Sequence, residues 1–410
     1  MTSENSHKPG KLAGVVVMGV AMLAIGMTPV AGAASRSAAS PRVDLKALGK
    51  QVKALEAMPT FKGASYYGGD LKNGKSLAGD KVMIVPGDSQ LQACTYMGKA
   101  AAELFKAAGL RPTVFSTTGG VSTLTTAGND AIKEGYKAIL YECDFTATEV
   151  APEIAQAEAK GIKVIGWGST LAEDKAAHLQ GSLNTTLGKV AVNGVQQAVY
   201  QHKGKPFQSI VIESKAVGTS PPATARLLNE LKKLCPKCKA TVVTANVTTW
   251  TTTLPSATES ALERAPKATA IFDEFTGELS SVLAGIEGVH RTGTVKTYMG
   301  YGGGTAYLED EASGVGHRVV QGQIEEGIVW CGYEDVLQTL RVLLGKKPMP
   351  VSVFTGPRRL ITPQNVGAVL KTGGFGTAFV NDFRAMLGVK PLSGSALTSA
   401  ATLTGKLTAK

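Results

Sequence analysis

The chain has 410 residues, a formal net charge of +11, an aromatic content of 6% and 48 glycines. This length exceeds one ordinary domain and is enough to bury two cores. Abundant glycine with few aromatic residues favours an α/β class with many short turns over an all-β class. The lysines and arginines are scattered along the chain, which is typical of a solvated surface and argues against a nucleic-acid-binding face.

The first 33 residues predict an export signal that is removed from the mature protein. Two lysines form a basic start, residues 12–27 are apolar, and an A-x-A cleavage site ends at Ala33. Glycines and Pro29 interrupt the apolar stretch, which argues against a membrane anchor. No cysteine directly follows the cleavage site, so a lipid anchor is not expected. We therefore expect a periplasmic or extracellular mature protein that begins near Ala34.

Residues 34–80 are expected to form an extension that packs on the outside of the first core or stays mobile, with a helix around residues 43–58. Strands and helices then alternate. The predicted strands are 81–85, 113–115, 138–141, 164–167 and 176–182, and the predicted helices are 94–108, 122–134 and the stretch from Pro152 to Gly161. The strands at 138–141 and 164–167 are far enough apart for a crossover helix, so they should lie parallel. Ligands of open parallel sheets bind at the edge where the strands end.

A second series of the same kind begins at Leu187. Its predicted helices are 187–201, 223–235, 258–264 and 277–285, and its predicted strands are 209–214, 241–247, 270–275, 295–301 and 317–325. A helix at 331–344 and a returning strand at 351–356 come next. The small polar residues after Leu392 are expected to be disordered. Two similar Rossmann-like lobes explain this repetition better than one large sheet.

Five cysteines in an exported chain predict disulfides and one unpaired thiol. Cys235 and Cys238 form the motif C-P-K-C, for which we expect a local disulfide, since a zinc site would need two further ligands that the sequence does not offer nearby. Cys94 and Cys143 each follow a predicted strand on the same edge, and adjacent strands would bring them within bridging distance. Cys331 is then the unpaired cysteine.

The order of these elements resembles that of the type I periplasmic binding proteins, the ribose-binding-like substrate-binding components of ABC importers. The resemblance covers residues 81–362 and rests on the phrases KAILYECDFTATEVAPEIAQAEAKGIKVIGWGS, GTSPPATARLLNELKKLCP, KATAIFDEFTGELSSVLAGIEG and VKTYMGYGG. It implies two α/β lobes with parallel sheets flanked by helices, joined by hinge crossings near residues 184–187, 323–327 and 354–356.

This layout predicts five segments. They are a signal peptide (1–33), an N-terminal extension (34–80), an N-terminal lobe (81–186 with 327–354), a C-terminal lobe (187–326 with 355–391) and a disordered tail (392–410). The resemblance also implies that a ligand is held between the lobes. Closure of the hinge then distinguishes the loaded protein from the empty one for the membrane permease.

The resemblance places candidate ligand contacts at the strand ends. In the first lobe they are Asp88, Gln90, Gln92, Glu142, Asp144, Trp167 and Ser169. In the second lobe and the hinge they are Thr219, Ser220, Trp250, Glu274, Phe275, Tyr301, Glu325 and Glu326. Aromatic rings at such positions stack on sugar faces, although two of the four rings would equally suit a lobe core. Carboxylates would orient hydroxyls or pair with an amine, and they would equally serve as helix caps or hinge salt bridges.

This chain departs from the ribose-binding-like pattern at several of these positions. Ribose-binding-like members commonly have Asp-Arg where this chain has Trp167 and Gly168, and Ala223 replaces an expected arginine. Phe275 and Thr276 stand where an Asn-Asp pair is expected. Most of the groups that hold a free pentose are therefore missing.

The sequence thus predicts a monomeric, non-enzymatic solute-binding protein without metal or cofactor. A carbohydrate is the ligand that the resemblance implies, delivered to an ABC permease. A cationic amine or an aromatic molecule is the alternative ligand class, and a receptor for a sensor kinase is the alternative role. A glycoside hydrolase is a third hypothesis, because it also needs placed carboxylates.

Overall fold

The computed structural model describes residues 43–89, 91–118, 120–143, 145–167, 178–183, 187–302, 305–354, 356–372 and 374–402. The predicted signal peptide lies outside these residues. None of the helices in the described part of the chain is long and apolar enough to cross a membrane.

Two sheets and their flanking helices make up the described chain. The strands are β1 (Lys81–Pro86), β2 (Arg111–Val114), β3 (Ala138–Glu142), β4 (Lys163–Trp167), β5 (Gly181–Leu183), β6 (Gln208–Glu213), β7 (Lys239–Thr244), β8 (Ala268–Phe275), β9 (Lys296–Gly302), β10 (Val320–Glu326) and β11 (Arg358–Ile361). The helices are α1 (Leu45–Leu55), α2 (Gln92–Ala107), α3 (Val121–Lys133), α4 (Ala151–Ala159), α5 (Leu187–Gln201), α6 (Ser220–Leu234), α7 (Trp250–Arg264), α8 (Leu279–Gly288), α9 (Thr305–Ala312), α10 (Gly316–Val319), α11 (Ile328–Leu343), α12 (Val366–Thr372), α13 (Ala378–Met386) and α14 (Gly394–Thr402).

The first sheet has the strand order β2-β1-β3-β4-β5, and all its neighbours are parallel. The parallel pairing of β3 with β4 confirms the prediction from their spacing. Successive residues of a strand point to opposite faces, so Val82 and Ile84 belong to the core beneath α2, whereas Met83 and Val85 belong to the core beneath α3 and α4. Helices thus cover both faces of the sheet at its centre, which is why the central strands β1 and β3 are largely apolar.

The second sheet has the order β11-β10-β9-β8-β6-β7. Its strands are parallel except β11, which runs antiparallel to β10 and pairs Arg358 with Glu326. Helix α5 contacts β8, β9 and β10 of this sheet. Two separate sheets of Rossmann-like type confirm the predicted fold class.

The chain returns to the first lobe after β10. Helix α11 contacts α2 and the strands β3, β4 and β5. Gly332 allows this approach, because a Cβ there would lie 2.5 Å from the backbone oxygen of Met97. The first lobe is therefore completed by a helix from the far end of the chain.

The returning strand was predicted at residues 351–356, and this prediction is wrong. Residues 351–353 form a turn, in which the amide of Val353 donates to the carbonyl of Pro350 over 2.9 Å. The strand is β11 instead, and it begins directly after Pro357. A proline lacks the N–H that a sheet requires, so pairing starts after it.

The disordered tail was also predicted wrongly for residues 394–402, which form α14. This helix contacts α11 and α13, and Ala400 is buried. Contacts of a few small apolar side chains with α11 and α13 stabilise this helix, although its composition is typical of a disordered segment. The contacts of α13 with α11, and of α12 with α9, divide the predicted segment 355–391 between the two lobes.

The N-terminal extension touches both lobes. Helix α1, which the Asp44 side chain caps by accepting from the amides of Lys46 and Ala47, packs on α5 and β11 of the second lobe. The following residues cross to α11, where Phe61 and Tyr67 join an aromatic cluster with Trp330, Tyr333, Phe379 and Phe383. The extension thus packs on the first lobe, as expected, and also on the second.

Candidate functional site

A cavity lies where strands of both sheets end. From the first lobe it is lined by Leu91, Gln92, Ala93, Cys94, Met97 and Cys143. From the second lobe it is lined by residues that include Trp250, Phe275, Thr276, Gly277, Tyr301 and Tyr307. Ile328, at the start of α11, lies at the hinge side. The space between these residues, counted together with the open solvent at its mouth, is about 450 Å³.

Aromatic rings form the second-lobe wall of this cavity. Trp250 and Phe275 are stacked, with centroids 5.7 Å apart and planes 29° from each other, and Tyr301 meets Phe275 edge-on at 6.3 Å. The Trp250 ring lies directly over Gly277, where a Cβ would come within 2.8 Å of the ring. Glycine at position 277 is therefore what allows the indole to lie flat along this wall.

Helix α7 carries Trp250 into the site because it starts earlier than the sequence predicts. The predicted helix began at residue 258, after Pro255, whereas α7 begins at Trp250 and includes Pro255. Burial of Trp250 against Phe275 holds this first part of the helix in place despite the proline. Tertiary packing thus outweighs local helix propensity.

Sulfur atoms form much of the opposite wall. Cys94 in the first turn of α2 and Cys143 after β3 are joined by a disulfide, as predicted. Cys143 has a φ of 56°, a left-handed conformation that a residue with a side chain rarely adopts. The disulfide thus ties the loop after β3 to α2 at the cavity. Cys235 and Cys238 form the second predicted disulfide, and Cys331 is a buried free thiol.

Gln92 supplies a polar group to the cavity. Its amide nitrogen donates to the hydroxyl of Tyr96 over 3.0 Å. Its Oε1 is buried and accepts no hydrogen bond from the described residues. A buried acceptor without a partner is costly, at about 1–3 kcal/mol. A hydroxyl or N–H group of a ligand would remove that cost.

A hydrogen-bond network lies behind the aromatic wall. The Trp250 Nε1–H donates to Ser214 Oγ over 3.1 Å, and Ser214 Oγ donates to Glu278 Oε1 over 3.1 Å. Ser220 and Thr224 donate their hydroxyls to the carboxylate of Glu274, with Thr224 at 2.6 Å. These groups hold the wall in position from the interior of the second lobe.

Burial raises the pKa of Glu274 to about 8, even though the hydrogen bonds from Ser220 and Thr224 lower it. Burial also raises the pKa of the neighbouring Asp273 to about 8, and it raises that of Glu278 well above its ordinary value. Burial thus favours the neutral, protonated form of these carboxyls over the charged form.

We expect Glu274→Gln to reduce the pH dependence of stability. The folded pKa of Glu274 is raised from 4.5 to about 8, so the folded state binds more protons than the unfolded state between these values. The free energy of unfolding therefore falls as pH rises through that window, by up to about 1.4 kcal/mol per pH unit for one such group. Urea unfolding at pH 5 and at pH 8 should show a smaller difference in the variant.

Glu263→Gln is the matched control for this experiment, because Glu263 is an exposed residue of α7. It should leave the difference between pH 5 and pH 8 as in the wild type. An equal effect of the two variants would contradict the assignment to Glu274.

The structure brings four of the predicted ligand contacts to the cavity, namely Gln92, Trp250, Phe275 and Tyr301. Seven others are buried outside the described lining: Asp88, Glu142, Thr219, Ser220, Glu274, Glu325 and Glu326. Gln90, Asp144 and Ser169 lie outside the described residues, and of Trp167 only the backbone at the end of β4 is described. The contact of all these residues with a ligand stays a prediction.

The predicted carboxylate contacts that the structure describes are buried inside the lobes. Glu142 ends β3 but lies beside Asp335 of α11, and burial raises the pKa of Glu142. Glu325 is buried near Glu311, and burial raises its pKa as well. A polar residue at a strand end points either into the cleft or under a helix, and the sequence does not distinguish these directions.

Several lining residues were not among the predicted contacts. Met97 and Tyr307 lie on helices. Thr276 directly follows the predicted contact Phe275, and Ile328 directly follows the predicted hinge crossing at residues 323–327. Met97 lies one helical turn after Cys94, so the spacing of three placed it on the same face of α2. That spacing was a signal available in the sequence.

No group of three or more His, Cys, Asp or Glu side chains within the described part of the chain is arranged to hold a metal ion. No charged side chain lines the cavity among those residues either. The described lining residues can therefore interact with a ligand by ring stacking, by apolar contact and by hydrogen bonds from neutral groups.

The chain is similar to solved structures of ABC transporter solute-binding proteins. One from Agrobacterium vitis has bound allitol; it is 18% identical, with 72% of this chain and 99% of that chain covered and a TM-score of 0.62. A 5-methylthioribose transporter solute-binding protein from Thermotoga lettingae, in complex with 5-methylthioribose, is 13% identical, with coverage of 78% and 98% and a TM-score of 0.61. One from Actinobacillus succinogenes with bound D-allose is 15% identical, with coverage of 70% and 99% and a TM-score of 0.60. At these identities the likeness shows the fold.

No curated protein sequence matches the chain. The family model described as periplasmic binding protein domain matches residues 82–325, which is more than half of the chain. The match begins in β1 and ends in β10, so it includes strands of both sheets. The chain therefore belongs to the periplasmic binding protein domain family, in its type I form with two lobes.

Proposed function

We propose that this protein is an exported solute-binding protein that captures a small carbohydrate between its lobes and delivers it to the permease of an ABC importer. The observation that carries the proposal is the cavity at the carboxyl ends of the strands, because both lobes and the hinge contribute to its lining. Open parallel sheets bind ligands at that edge. A site built from two lobes changes shape when the lobes rotate about the hinge.

Four observations support a carbohydrate as the ligand class. The similar solved structures hold a polyol, a methylthio sugar and a hexose. The Trp250 and Phe275 rings offer the flat faces on which the C–H surface of a sugar stacks. Gln92 offers an acceptor to a hydroxyl group. The lining within the described residues is uncharged, which favours a carbohydrate over the cationic amine that the sequence left open.

Binding without turnover is the activity that fits this lining. Glycoside hydrolysis needs two carboxyl groups on either side of the scissile bond, roughly 5–10 Å apart. The described lining contains no carboxyl group. We therefore propose that the ligand leaves the protein unchanged.

Export of the protein rests on the sequence of residues 1–33. We propose that cleavage after Ala33 releases the mature chain outside the cytoplasm. Mass spectrometry of the protein recovered outside the cytoplasm would then give a chain that begins at Ala34.

A thermal-shift screen tests the proposed function. The panel contains sugars, polyols, amines and aromatic acids, each in large excess. A ligand that binds only the folded state at one hundred times its dissociation constant stabilises it by about 2.7 kcal/mol, so we expect a rise of several degrees in Tm with at least one sugar or polyol. A rise with amines or aromatic acids alone would refute the carbohydrate class. A panel without any rise would refute solute binding.

A further inference from the structure

The two walls of the cavity are largely apolar. On the first-lobe side, the Cys94–Cys143 disulfide and Met97 are joined by Leu91 and Ala93. Cys94 and Met97 have no exposed surface here and Cys143 is 4% exposed, so a ligand reaches this wall when the lobes move apart. Thioether and disulfide sulfurs are polarisable and make favourable contacts with aromatic and alkyl groups.

The second-lobe side offers the stacked Trp250 and Phe275 rings. The polar group of Trp250 is already used, since its Nε1–H donates away from the cavity to Ser214. The nearby carboxyl of Glu274 is equally withdrawn, because Ser220 and Thr224 donate to it inside the lobe. This wall therefore presents ring surface to the cavity, together with the hydroxyl-bearing side chains of Thr276, Tyr301 and Tyr307.

Few of the lining side chains carry hydrogen-bonding groups. Gln92 Oε1 is a buried acceptor without a partner among the described residues, and the hydroxyl-bearing residues Thr276, Tyr301 and Tyr307 also line the cavity. The four lie on α2, directly after β8, in β9 and on α9. A free hexose carries hydroxyl groups all around its ring, so placing it between sulfur and aromatic rings would leave several of them without partners, each at a cost in affinity.

We propose that the ligand of this cavity is an uncharged amphiphilic sugar, a glycoside or deoxysugar whose apolar group lies between the Cys94–Cys143 disulfide and the Trp250–Phe275 pair. A hydroxyl of its sugar part donates to Gln92 Oε1. This inference rests on the proposed solute-binding function and names the substrate class of the same site. It assigns the disulfide a second role, as a surface that contacts the ligand.

Two matched pairs of compounds test the inference by isothermal titration calorimetry on the full chain. The first pair is D-glucose and phenyl β-D-glucopyranoside, and the second is D-galactose and 6-deoxy-D-galactose. In at least one pair, the compound with the apolar group should bind at least about tenfold more tightly, because burial of a few carbon atoms supplies a factor of this size.

A cavity variant and a matched control complete the test. Phe275→Ala should reduce the ratio of the two dissociation constants at least about threefold, because the apolar group loses one of its walls. Tyr200→Ala removes an aromatic ring that is 41% exposed on α5 and lies outside this cavity, and it should leave the ratio unchanged. Both constants are measured on one protein preparation, so a loss of folded protein alters the stoichiometry and not the ratio.

Equal or tighter binding of the unsubstituted sugar in both pairs would overturn the inference and leave solute binding intact. Failure of all four compounds to bind would overturn it as well, and the wider thermal-shift panel would then decide separately whether the protein binds a solute at all. A ratio that Phe275→Ala and Tyr200→Ala reduce equally would also refute the assignment to this cavity.

Discussion

Replacing Cys94 and Cys143 together by serine is expected to abolish ligand binding and to lower the free energy of unfolding by about 4 kcal/mol. The stability estimate follows from the sequence separation of 49 residues, because a longer closed loop restricts the unfolded chain more strongly. Loss of binding follows from geometry, since both residues line the cavity and Cys143 is held in a left-handed conformation beside α2. Urea unfolding and calorimetric titration with a ligand from the thermal-shift screen measure the two effects.

The second disulfide provides the control for this variant. Cys235 and Cys238 are three residues apart at the end of α6 and do not line the cavity. Replacing them by serine should cost about 2 kcal/mol at most and should leave the dissociation constant unchanged. Retained binding in the Cys94 and Cys143 variant would show that the cavity wall does not depend on that bond.

Phe383→Ala is expected to lower the free energy of unfolding by about 3–5 kcal/mol, the range for truncation of a buried phenylalanine. Phe383 has no exposed surface. Its ring lies 5.1 Å from that of Phe61, 5.4 Å from Tyr67, 5.8 Å from Trp330 and 5.6 Å from Tyr333. The cavity left by truncation would open in the middle of the cluster that joins α13, the extension and α11.

Phe115→Ala is the comparison for Phe383→Ala, because Phe115 is only half-buried just after β2. Its effect on urea unfolding should be clearly smaller. If the two variants lose similar stability, the aromatic cluster contributes no more than an ordinary surface contact. Proteolysis of Phe383→Ala within residues 56–71 should also become faster, since the extension loses its anchor on α11.

Hydrophobic patterning was sufficient to predict the two sheets. The apolar runs of β1, β3, β6 and β8 are buried on both faces, so each run is short, continuous and bounded by turns. The same logic placed Cys94 and Cys143 on one edge and predicted their disulfide. Such features depend on local spacing and on the general geometry of parallel sheets.

Other features depended on contacts between distant residues and could not be predicted in this way. The tail helix α14 is stabilised by α11 and α13, and α7 extends to Trp250 because that ring packs on Phe275. The carboxylate of Glu274 occupies a strand end, as a ligand contact would, but the hydroxyls of Ser220 and Thr224 hold it inside the lobe. For Glu274, the direction in which the side chain points, and not its type, determines whether it lines the cavity.

The first lobe is built from both ends of the chain, and this fixes the order in which its core can form. Strands β6 to β10 follow one another, so most of the second sheet is available as soon as they are synthesised. Helix α2 has to wait for α11, whose Gly332 lies against Met97 and Ala101. A chain that ends before residue 328 would leave that apolar face uncovered, as a surface that chaperones and proteases recognise.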